Sequence, residues 1–147
     1  MFVAMTIRPS PIHREHDRPA PPLLLTEAGA AILAATLAIR LRPFRTIAEG
    51  LDDPAARRQA TDAETGYWIR RAVLAWGRRL PWRAKCFEQG LAAAWLLRRR
   101  GLAYAVHYGA ANANSDLIAH VWVTSGSTPI VGCENRDAFS LLATFRG

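Results

Sequence analysis

The feature that most constrains this chain is a change of hydrophobic period at Gly101. Before it, apolar residues recur at helical spacing. Ile32, Leu33, Leu37 and Leu41 recur at spacings of one, four and four between Thr26, a candidate N-cap, and the stop at Pro43. A short helical turn follows through Phe44, Ile47, Ala48 and Leu51, and Asp52-Asp53-Pro54 is turn chemistry. Trp68, Ala72, Ala75 and Trp76 line a helix from Asp62 to Arg79, which Leu80-Pro81 breaks. Cys86, Gly90, Ala93 and Leu97 share a face of a third strong helix from Ala84 to Arg100, with Gly101 as its stop. After Gly101 the period shortens towards two. Leu102–Ala110, Leu117–Thr124 and Thr128–Cys133 read as strands, separated by a loop at Asn112–Asp116 and a turn at Ser125-Gly126-Ser127. The segment Phe139–Phe145 is expected to pack back on this sheet. Helices first and strands afterwards predict an α+β fold, N-terminal helices on a small antiparallel sheet.

Residues 1–22, with Pro9, Pro11, Pro19, Pro21 and Pro22, read as an extended proline-rich tail in which His13 and His16 are solvated. Residues 23–147 are then one domain, long enough to bury a core. The run Leu23–Leu41 is alanine-rich, interrupted by Glu27 and closed by Arg40 and Arg42, a weak membrane span. No secretory signal is recognisable in residues 1–22, and two cysteines make no disulfide framework. A soluble, cytoplasmic protein with no transmembrane segment is expected. The net charge of +7 comes almost wholly from arginine, Lys85 being the sole lysine. The arginines are scattered in pairs along the helices and no nucleic-acid motif accompanies them. They read as solvated faces and helix C-termini, with an acidic peptide or partner as the alternative.

Chemistry points first to Cys86. It follows a proline break and sits in the first turn of a helix, where the end of the helix favours a negatively charged sulfur. His120, in Ala119-His120-Val121-Trp122-Val123, is the strand-borne base such a thiol needs. Each alone reads as an ordinary core residue; the pairing of a helix cysteine with a strand histidine is what carries the argument. His107 is a rival base, although its alternation with Tyr104, Val106 and Tyr108 suits a surface or orienting role. Cys86, Cys133, His107 and His120 lack the short ligand spacings of a metal site, and no glycine-rich phosphate loop follows a strand. No cofactor or metal is expected.

Leu80-Pro81-Trp82 leading to Cys86, Gln89, Trp95–Gly101 and the Ala119–Val123 segment together resemble the lasso-peptide leader peptidases. These are the transglutaminase-like B-type maturation proteins, related to the microcin J25 processing protein. Leu41–Arg45 and Leu142–Phe145 fit the same pattern, so the resemblance covers residues 25–146. It implies a papain/transglutaminase-like fold and a cysteine peptidase that removes the leader of a ribosomally made precursor. Cys86 would be the nucleophile and His120 the general base and acid. The short tail leaves no room for a fused recognition domain, so a stand-alone protease is expected. Its partners would be the precursor peptide, a small leader-recognition protein and an ATP-dependent lasso cyclase.

One departure concerns the third catalytic member, an aspartate at the end of the next strand in the family. Here that neighbourhood reads Ile130-Val131-Gly132-Cys133-Glu134. Glu134 ranks first as substitute, Asp137 second and Asp116 third, and orientation by a backbone carbonyl remains open. Gln89 is a candidate oxyanion donor or a plain helix-surface residue. The alternative functions are a transglutaminase-like acyl transferase, a non-catalytic relative, and an arginine-rich nucleic-acid or anionic-surface binder.

Overall fold

A computed structural model describes residues 18–80 and 86–147. The expected tail up to residue 17, His13 and His16 included, and the break at Pro81 lie outside these. The first helix, α1 (Pro22–Leu41), starts earlier than expected. Pro21 is the residue before its first turn, and Pro22 opens the helix at a position where a missing N–H costs nothing. Thr26 therefore lies inside α1 and bonds back to the Pro22 carbonyl at 3.0 Å instead of capping. A short α2 (Phe44–Leu51) follows Pro43. In α3 (Ala63–Arg79), Asp62 caps the first turn by accepting from the Thr65 N–H at 2.8 Å. Cys86 is the first described residue of α4 (Cys86–Arg99), and the expected start at Ala84 lies outside the described residues. That helix ends where Gly101 turns left-handed (φ +66°) and the Leu102 N–H reaches the Leu97 carbonyl at 3.0 Å.

α4 is the centre of the fold. Gly90 to Ala94, Leu96 and Leu97 are buried, and the helix touches α1 and α3 on one side and strands of the sheet on the other. An apolar helix of this kind is stable only when covered all round. α1 is long and apolar enough to cross a bilayer by composition, yet Leu24, Ala28, Ile32 and Ala35 are buried in the core. Small residues let the helices close up. A Cβ on Gly29 would lie 2.7 Å from the Trp76 indole, whose Nε1–H donates to the Leu25 carbonyl at 2.6 Å.

The four strands form one antiparallel sheet in the order β3-β2-β1-β4. β1 (Ala105–Ala113) starts later than expected, because the Leu102 N–H is spent on the helix cap and that of Ala103 on the Gln59 carbonyl. Between β1 and β2 (Asp116–Ser125), Asn114 and Ser115 both have positive φ, 50° and 73°. Two left-handed residues make a tight hairpin turn, so the expected five-residue loop is mostly strand. β3 (Thr128–Val131) stops short because Gly132, at φ +71°, leaves the ladder. After a 3-10 turn at Arg136–Ala138, β4 (Ser140–Arg146) pairs with β1. The architecture is thus α+β, with the helices N-terminal to the sheet.

Strand alternation decides which residues meet α4. A Cβ on Gly90 would lie 2.8 Å from Val121 Cγ1 and 3.5 Å from Val123 Cγ2, so these valines face the helix. His120 and Trp122 take the opposite orientation. Gly90→Val should therefore lower stability by about 1–3 kcal/mol through overpacking, measured as the shift of the urea midpoint at constant m-value.

Candidate active site

Cys86 and His120 line one cavity of about 630 Å³ between α1, α4 and the sheet. The other walls are mainly apolar or aromatic: Ile39, Phe44, Phe87, Tyr108 and Val121, with Arg40 and Glu88 as charged members. Phe44 organises this wall. Its ring lies 5.6 Å from Phe87, 5.6 Å from Tyr108 and 6.3 Å from Phe145, so α2, α4, β1 and β4 meet there. Cys86 is half-buried and forms no disulfide.

His120 borders the cavity at the margin of β2, where β3 has already ended. The last β2–β3 pair on that side is Val123↔Val131, and Gly109, opposite His120 on β1, has no side chain. The imidazole stacks on Phe139, with centroids 4.7 Å apart, and on Trp122 at 6.0 Å. Its Nε2 lies 2.7 Å from the Gly132 carbonyl oxygen. Among the described residues no hydrogen bond joins the Cys86 thiol to this ring; the two share the cavity wall.

The acids expected near His120 are placed differently from one another. Glu134 forms an ion pair with Arg70, and that bond is the main reason its carboxyl is held below the usual range, with the charge of His120 a smaller contributor. Asp137 is fully exposed beside Arg136. Asp116 begins β2, four residues before His120, which places it about 13 Å along the strand at ~3.3 Å per residue. Gln89 packs its amide against Gly77 of α3, where an added Cβ would sit 2.6 Å from Nε2, and it is not a lining residue of the cavity.

His107, the rival base, is engaged at both nitrogens. Nδ1 is 3.1 Å from the Thr144 hydroxyl, Nε2 is 3.1 Å from that of Thr124, and the ring stacks on Trp122. Cys133 donates its S–H to the Val123 carbonyl at 3.3 Å, and burial raises its pKa. Among the described residues there is no cluster of three or more His, Cys, Asp or Glu side chains able to hold a metal. Sequence reading did not single out Arg70, Gly132 or Phe139. Of these, only Gly132 carried a signal, a glycine closing a strand pattern next to the expected acid.

The sequence profile of the transglutaminase-like superfamily matches residues 29–144. The chain belongs to that superfamily, which includes cysteine peptidases and acyl transferases. No curated protein matches it, and no solved structure does. The matched span begins in α1, ends in β4 and contains both Cys86 and His120.

Burial, with help from Arg146 and Arg136, lowers the pKa of His107. A depressed histidine means that the unfolded chain binds the proton first, so stability rises with pH between the lowered folded pKa and about 6.5. The urea midpoint should fall from pH 7.5 to pH 5.5, and His107→Gln should flatten that dependence. An equal slope in the variant would assign the loss to other groups.

Proposed function

We propose that this protein is a cysteine peptidase that removes the leader from a lasso-peptide precursor, with Cys86 as nucleophile and His120 as general base and acid. The observation that carries the reading is the shared cavity. Cys86 on α4 and His120 at the margin of β2 are both lining residues of one largely apolar cleft within a transglutaminase-like fold. The motif set around Leu80–Cys86, Trp95–Gly101 and Ala119–Val123 supports the narrower substrate assignment.

In this mechanism the sulfur attacks the carbonyl carbon of the last leader residue. With Nε2 committed to the Gly132 carbonyl, Nδ1 of His120 is the nitrogen that takes the thiol proton. In this reading the positive N-terminal end of the helix that bears the sulfur stabilises the oxyanion. The C–N bond breaks as His120 returns the proton to the departing core amine. This leaves the leader on Cys86 as a thioester. Water, deprotonated by His120, then releases the leader carboxylate. The apolar walls around Phe44, Phe87 and Tyr108 suit a peptide segment carrying apolar side chains. A small leader-recognition protein would deliver the precursor, and an ATP-dependent cyclase would consume the freed core peptide.

Incubation of precursor, recognition protein and enzyme should produce the mass change of leader loss. Cys86→Ala and His120→Ala should each lower the rate by at least about 10³-fold with the circular dichroism spectrum preserved. Undiminished cleavage by either folded variant overturns the assignment.

A further inference from the structure

We propose that the His120 imidazole is oriented by the Gly132 carbonyl, and that Arg70 is the positioning residue that holds this carbonyl in place. The proposal rests on the reading of His120 as the base. It gives the orienting task to a peptide group where a carboxylate was expected.

Three constraints converge on the turn after β3. Gly132 has φ +71°, and a Cβ there would collide with the Val121 carbonyl oxygen and lie 3.4 Å from His120 Nε2. Only glycine brings the backbone this close to β2 in a left-handed conformation. Arg70, reaching over from α3, grips the turn on both sides of Gly132. Nη1 donates to the Ile130 carbonyl at 3.3 Å and Nη2 pairs with the Glu134 carboxylate. The Cys133 thiol adds a bond to Val123 of β2.

A carbonyl oxygen accepts and never donates. Bonded to Nε2 at 2.7 Å, it keeps a proton on that nitrogen in both the neutral and the cationic ring. The free lone pair of the neutral ring is then on Nδ1. Stacking on Phe139 and Trp122 fixes the ring plane, and the Gly132 bond fixes its rotation within that plane. Glu134 is paired with Arg70. Its carboxylate is compensated by the guanidinium and is not the hydrogen-bond partner of His120.

The test is long-range ¹H–¹⁵N spectroscopy of the His120 ring in the full chain, paired with kcat and KM for leader removal, on wild type, Glu134→Gln, Arg70→Met and Arg70→Lys. Wild type and Glu134→Gln should both show the neutral Nε2–H tautomer, with kcat changed by no more than about fivefold. Arg70→Met should give a tautomer mixture and a kcat lower by about 10–100-fold at little-changed KM, and Arg70→Lys should recover part of both. An Nδ1–H tautomer in wild type overturns the proposal. So does a loss of about 10³-fold or more in kcat for Glu134→Gln, as expected of a direct orienting acid. Should Arg70→Met not fold, Glu134→Gln decides alone. An Nε2–H ring in a protein that removes no leader would leave the orientation standing and refute the peptidase reading.

Discussion

The structure depends on the burial of α4. A helix whose middle reads Gly90-Leu91-Ala92-Ala93-Ala94 cannot tolerate solvent on any side, and the chain surrounds it with α1, α3 and the sheet. Its small residues set how close those neighbours come, most tightly where Gly90 meets Val121. That contact has a functional consequence. It fixes the height of β2 along the helix, and so brings the strand margin carrying His120 to the cavity that Cys86 opens. The helix that organises the core thus carries the sulfur at its end.

The second organising element is the turn that ends β3. Strand β3 could have continued beside His120 and covered it. Instead Gly132 turns left-handed, frees the margin of β2 and places a carbonyl oxygen against Nε2. His120 borders the cavity, and its imidazole stacks on Phe139 and Trp122. Arg70 ties this turn to α3, so helices and sheet are joined at the site by polar contacts as well as by packing.

Much of this was legible in the sequence, for identifiable reasons. The change of period at Gly101 gave the α+β class, because residues buried on one face of a helix or strand must repeat with that element's geometry. Asp62 as a helix start and Gly101 as a stop were readable because their chemistry is local. Thr26 misled as a cap because Pro22 provides an earlier start that no side chain announces. Asn112–Asp116 looked like a loop from composition, whereas a hairpin turn needs only two left-handed residues. At the site, Cys86 and His120 stood out by residue type and position. Arg70 could not, because its partners at Ile130 and Glu134 are distant in sequence and an arginine on a helix face resembles any solvated one. Membership of the transglutaminase-like superfamily establishes the fold; the chemistry and the substrate are argued from Cys86 and His120, from motifs and from the shape of the cleft.

The central claim is covalent chemistry at Cys86, and acid-quenched intact-protein mass spectrometry during turnover tests it most directly. With precursor and recognition protein present, the account predicts a transient adduct of the leader mass less water, mapped to the peptide that contains Cys86. In H₂¹⁸O the released leader should carry one heavy oxygen in its new carboxylate. Leader release with no adduct on Cys86 at any time point, and undiminished in Cys86→Ala, would contradict it.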